Sequence, residues 1–101
     1  MDERASELDG EDPIAIPCYD RDSYSRLLDI ATDRDLLPPT FDAWVREVER
    51  VSRAVTSRGI TPVRVMIDPN LLVKWCAENG LDPDSLGRLA YAEKLLDDQE
   101  A

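Results

Sequence analysis

The sequence predicts a small α+β domain in which two short strands are covered by four helices, in the order β-α-α-β-α-α. Three observations carry this. Two brief runs rich in β-branched residues, 14–18 and 63–67, sit among turn-forming residues. Four apolar stripes recur at helical spacing. An Asp or Thr stands ahead of each stripe, where a helix cap belongs. A chain of 101 residues suits one such domain. Folding buries roughly two thirds of its extended surface, enough for a core without disulfides.

Residues 1–12 are polar and aperiodic and read as a disordered acidic arm. The first strand, 14–18, sets Ile14, Ile16 and Cys18 on one face. Pro17 cannot donate to a ladder, so one side of this strand is expected to be free or bulged. The first helix spans 21–31, capped by Asp20 or Asp22, with Tyr24, Leu27, Leu28 and Ala31 inward. Residues 32–39 form a loop, because Leu37 precedes the Pro38-Pro39 pair. Thr40 caps the second helix, whose stripe runs Phe41, Trp44, Val45, Val48, Val51, Val55 beneath a charged outer face. Arg58-Gly59 ends it.

The second strand, 63–67, turns Val63, Val65 and Ile67 to the core. Asp68-Pro69 then opens the third helix, with Leu71, Leu72, Trp75 and Cys76 inward and Gly80 as its stop. Asp82-Pro83 repeats that start signal for the fourth, with Leu86, Leu89, Ala90 and Leu96 inward. The folded domain is thus expected over 13–96, with 97–101 as a second disordered acidic tail. Two strands alone make a poor sheet, so a homodimer that extends or covers it is expected. Strand direction stays open. A single crossover helix gives a parallel pair, and a helical hairpin gives an antiparallel one.

The net charge of −10 divides unevenly: −5 on residues 1–12, −3 on 97–101, and only −2 between. Acid at the ends favours solubility and opposes contact with nucleic acid or anionic lipid. No apolar run approaches ~20 residues, and the acidic start is unlike a secretory signal. The expectation is a cytoplasmic protein with no nucleic-acid or membrane partner. Cys18 and Cys76 lie in no paired motif and are expected to be reduced and buried. The chain has no histidine. That excludes imidazole general bases, Ser-His and Cys-His pairs and most zinc sites. No cofactor is expected.

Four arrangements could still carry function. Asp20, Asp22 and Asp68, beside Cys18 and Tyr19, each follow a strand's carboxyl end, where open sheets place ligands, and could hold Mg²⁺ or Ca²⁺. Capping alone also explains Asp68 and one of the other two. A helix-turn-helix over 71–94 has suitable spacing, but Asp82 and Asp84 stand where phosphates would lie, and only Arg88 and Lys94 are basic. Cys18 could be a nucleophile, yet it shares a face with Ile14 and Ile16. Arg46, Arg50 and Arg53 alternate with Glu47 and Glu49 and read as a solvated face. Phe41, Trp44 and Trp75 are the interface candidates. The reading is a non-enzymatic protein-interaction or regulatory module that self-associates. The alternative is a small carboxylate-dependent enzyme or divalent-metal-binding protein using Asp20, Asp22 and Asp68.

The stretch 19–91 resembles a group of small bacterial proteins to which no activity attaches. Residues 37–44 and 63–69, then Trp75-Cys76 and Gly80-Leu81, carry the likeness. It implies a bacterial cytoplasmic protein and nothing about chemistry.

Overall fold

A proline has no N–H, so it fits a strand only where that amide would have pointed away from the neighbouring strand. This rule organises the sheet. In the computed structural model, which describes residues 13–100, β1 (Pro13–Cys18) and β2 (Thr61–Met66) run parallel. Pro13 lies opposite Thr61, and Cys18 opposite Met66. The Ile67 amide donates to the Cys18 carbonyl at 2.9 Å. Backbone groups alternate sides along a strand, so Ile14, Ile16 and Cys18 face β2, while Thr61, Val63 and Val65 face β1. Pro13, Pro17 and Pro62 therefore all fall on outward-facing positions. The outer edge of β1 offers the N–H of Ala15 alone, and that of β2 offers Arg64 and Met66.

The crossover between the strands holds two helices, α1 (Arg21–Ile30) and α2 (Phe41–Thr56), joined through one 3₁₀ turn (Arg34–Leu36). After β2 come α3 (Pro69–Glu78) and α4 (Ser85–Glu100), which gives the predicted β-α-α-β-α-α order. Side-chain oxygens cap the helices. Asp20 accepts from the Ser23 amide at 2.8 Å, Thr40 from Ala43 at 3.1 Å and Asp68 from Asn70 at 2.9 Å. Gly59 and Gly80, at φ +82° and +68°, turn the chain after α2 and α3 in the left-handed conformation that glycine tolerates.

Both faces of the ribbon are covered. On one face Ala15, Tyr19, Val65 and Ile67 join Tyr24 and Leu27 of α1, Leu72 and Cys76 of α3, and Tyr91, Ala92 and Leu96 of α4. On the other, Ile16 and Cys18 meet Val48 of α2. The sequence placed only the Ile14, Ile16, Cys18 face inward. Ala15 is buried as well because β1 is sandwiched between helices. Among the described residues no helix is long and apolar enough to cross a membrane.

The last two helices depart from expectation. The Gly87 amide takes its cap from Asp84, at 3.0 Å, and not from Asp82. Leu86, expected inward, is 74% exposed. Gly87 explains the phase. A Cβ there would lie 2.0 Å from the Asp82 carbonyl oxygen, so only a glycine edge can meet that turn. The helix is thereby rotated to bury Arg88, Tyr91 and Ala92 instead. Leu71, also expected inward, is half exposed, while Leu72 is buried as expected. Residues 97–100, expected in a disordered tail, continue α4: Leu96 is buried, and Lys94 holds Asp98 at 2.7 Å one turn on. The acidic arm, 1–12, and residue 101 lie outside the described residues.

Arg88 is 7% exposed and grips the loop between α1 and α2. Its Nη1 donates to Asp33 Oδ1 at 2.7 Å and its Nη2 to Oδ2 at 3.0 Å. Nη1 also donates to the Pro83 carbonyl at 3.2 Å. The Tyr24 hydroxyl donates to the Pro38 carbonyl at 2.6 Å, which fixes the far end of the same loop.

Replacing Asp33 by Asn leaves the Arg88 charge uncompensated and is expected to cost on the order of 3 kcal/mol in urea unfolding. The guanidinium hydrogen-bonded to Asp33 holds its carboxyl below the usual carboxylate range. Because the folded value is the lower one, this contribution is whole above about pH 4 and is lost as pH falls through the folded value. Below about pH 4 the wild type should therefore lose stability more steeply than Asp33→Asn, as acid titrations of both would measure.

Candidate functional site

A helix laid on a two-stranded ribbon has a narrow floor beneath it. Of the apolar stripe on α2, Val48 alone is fully buried; Phe41, Trp44, Val45, Val51 and Val55 are half-buried. Of the hollows beside the helix, two share Tyr19, Trp44 and Val48 in their walls. The larger, about 310 Å³, has Ile16 and Pro17 of β1 and Leu27 of α1 among its walls. Leu36, Leu37 and Pro38 of the loop, Trp44 and Val51 of α2, and Ser85, Arg88 and Leu89 of α4 complete its lining. The smaller, about 230 Å³, lies toward Cys18, Phe41, Arg64 and Met66.

Those shared walls are aromatic. Trp44 stacks on Tyr24 at 5.4 Å between ring centroids and meets Tyr19 edge-on at 5.6 Å and Phe41 at 5.5 Å. Arg21 sits over the Phe41 ring at 4.8 Å, with its Nη2 3.1 Å from Asp42. Phe41 and Trp44 thus turn much of their surface to neighbours within the chain. Trp75, the third interface candidate, packs against Tyr91 at 5.3 Å on the opposite face of the sheet.

One polar group here has no counterpart. Tyr19 is 4% exposed, and its buried hydroxyl has no hydrogen-bond partner. Leaving such a group unpaired costs about 1–3 kcal/mol. Burial pushes the phenol pKa up, against the opposing pull of Arg88, so the group keeps its proton at neutral pH. The positive charge of Arg88 is in turn balanced by Asp33, whose side chain is 15% exposed. The larger cleft therefore joins an apolar wall to a closed ion pair, and the unpaired Tyr19 hydroxyl is itself shut off from solvent.

The residues singled out from sequence lie elsewhere. Asp20 and Asp68 cap α1 and α3, and the Ser23 amide holds the Asp20 carboxyl below its usual range. Asp22 is exposed in the first turn of α1. Neither cleft includes any of the three acids. Among the described residues no three Asp, Glu or Cys side chains gather as a cation would require. Burial pushes the Cys18 thiol up despite Arg64, and burial aided by Asp84 and Asp82 does the same to Cys76, so neither thiol is activated. Arg50 pairs with Glu47 at 2.6 Å on the outer face of α2. Arg88, weighed as a phosphate contact, is buried. The sequence set Tyr19 only beside the acidic cluster and Arg88 only among phosphate contacts, and brought neither to this cleft. Compared with protein-family models, curated proteins and solved structures, the chain matches none.

Because the Tyr19 hydroxyl is buried without a partner, removing it should help the fold. Tyr19→Phe is expected to raise stability by about 1 kcal/mol, read as a higher midpoint in thermal or urea melts. A loss of similar size would mean that the hydroxyl is paired in solution.

Proposed function

We propose that the chain is a non-enzymatic binding module and that the larger cleft beside α2 receives a small, mostly apolar ligand. The observation that carries this reading is the cleft of about 310 Å³ itself, whose lining by Ile16, Leu27, Trp44, Val48 and Val51 is mostly apolar and includes Tyr19 and Arg88. Ligand sites commonly combine such an apolar lining with one or two polar groups that fix orientation. At about 30 Å³ per water, the space suits a single-ring compound. The non-enzymatic part rests on the missing histidine and on two thiols that burial keeps protonated. The test is a titration with toluene followed by amide and indole NMR signals. The Trp44 indole and the Tyr19, Val48 and Arg88 amides should shift saturably while the Trp75 indole stays still. No saturable shift up to millimolar toluene would end this reading.

A second reading, self-association, has its own support. The outer edge of β2 carries the backbone groups of Arg64 and Met66 beside a Met66 side chain that is 60% exposed. Pairing with a second copy would run along this edge, since Pro13 and Pro17 blunt the other. Light scattering at high micromolar concentration should then give double the chain mass of 11.4 kDa. A mass near 11.4 kDa would remove the dimer and leave the cleft reading untouched.

A further inference from the structure

We infer that β2 pairs with the same strand of a second copy in one register, with Arg64 opposite the partner's Met66 and Met66 opposite the partner's Arg64. The inference rests on the self-association reading and adds the register and the hollow that the partner completes. Backbone donors, charge and the smaller cleft all select this alignment.

A symmetric contact between two copies requires an edge that is its own complement. The outer edge of β2 presents the N–H and C=O groups of Arg64 and Met66, and among the described residues neither amide has an acceptor. Laid antiparallel across a two-fold axis, the edge can centre on Arg64, on Met66 or between them. Centred on Arg64, it sets two guanidinium groups opposite each other. It also calls on Pro62, which has no N–H, to donate to the partner's Met66. Centred on Met66, it sets Arg64 against the partner's Asp68, which lies past the end of β2 and caps α3. That alignment gives Arg64 no strand to pair with. Centred between the two, each donor meets an acceptor inside the partner's strand, and no like charges stand opposite. Pro62 then falls beyond the last bond, where its missing donor costs nothing.

The smaller cleft favours the same arrangement. Arg64 and Met66 stand in its wall with Cys18, Phe41 and Val45, so it flanks this edge. Residues opposite one another in a sheet point to the same face. The partner's Met66 therefore comes beside Arg64 on the α2 side, over the open flank of the cleft. Met66 is 60% exposed in the single chain, and the alkyl stem of an arginine suits it as cover. Two ribbons joined in this way, with strands about 4.8 Å apart, set the two α2 helices roughly 10 Å apart, the spacing at which helices pack. Phe41 and Val45, half-buried in one chain, gain their cover there. The larger cleft has neither Arg64 nor Met66 in its wall, so pairing leaves it open to a ligand.

Oxidative cross-linking reads the register. Residues opposite in a bonded pair have Cα atoms about 5.5 Å apart, within reach of a disulfide, whereas diagonal neighbours at about 7–8 Å are not. Arg64→Cys and Met66→Cys chains, one carrying a mass tag, are mixed at high micromolar concentration, oxidised and resolved on a non-reducing gel. Cys18 and Cys76 are buried and stay out of the reaction. The mixed dimer should exceed either self-linked dimer by roughly tenfold. In the wild type, the Arg64 and Met66 amides should exchange more slowly as concentration rises. Self-linked Arg64→Cys as the main product would move the axis to Arg64, and self-linked Met66→Cys would move it to Met66. Either result, or a doubled light-scattering mass with no mixed dimer, overturns the register and leaves self-association standing. A doubled mass with unchanged wild-type amides puts the contact on another face and overturns it even if a variant folds poorly. A mass near 11.4 kDa at the same concentration removes self-association and the register together.

Discussion

Much of this architecture hangs on one buried charge. Arg88 reaches across 55 positions of sequence to Asp33, and without that grip the loop between α1 and α2 would keep the Tyr24 hydroxyl and the packing of Ala31 and Leu37 to hold it. The loop matters because it is a wall and not only a connection: Leu36 is 82% exposed and contributes little packing, yet Leu37 and Pro38 shape the cleft beside it. Arginine is suited to this position. Its planar fork meets both oxygens of Asp33 and keeps a donor for the Pro83 carbonyl, whereas a lysine would offer a single point of charge. A buried pair of this kind is weak evidence for added stability but strong evidence for a fixed arrangement, since separating its members strands a charge away from water.

The sheet imposes the complementary constraint. Two parallel strands must have their connection carried over a face, and both faces then need cover. The face toward α1, α3 and α4 receives it in full, with Leu27, Leu72 and Ala92 all at 0% exposure. The face toward α2 receives one helix, and that helix has only Val48 fully buried. The open space beside α2 is thus a product of topology. A third strand would have widened the floor and closed it.

Element order was legible because it rests on local chemistry: caps at Asp20, Thr40 and Asp68, stops at Gly59 and Gly80, and the helical spacing of Tyr24, Leu27 and Ala31. Even the pairing side of β1 was written in the chain, since Pro13 and Pro17 are an even number of residues apart and so exclude the same edge. What failed was whatever depends on contact at a distance. The phase of α4 follows from Gly87 against the Asp82 carbonyl, a close approach that the apolar spacing of Leu86 and Leu89 does not reveal. Arg88 resembled any surface cation because its partner lies in a loop far away in sequence. The site was the least legible part. Asp20, Asp22 and Asp68 were grouped by their places after strand ends, and two of them act as caps. Tyr19, next to Asp20, carries an unpaired buried hydroxyl instead. A tyrosine gives no sign in sequence of whether its hydroxyl will find a partner.

The outward-facing prolines also bear on how the chain reaches this state. Pro13 pairs with Thr61, so the ladder must await closure of a long loop, while the α3–α4 pair is local and can form early. During that interval both strands are exposed to other chains, the period in which edge-to-edge association is most damaging. A proline lacks its donor whether or not the ladder exists. Pro13, Pro17 and Pro62 therefore act as gatekeepers in the unfolded and half-folded chain, and they do so without removing a single bond from the finished sheet.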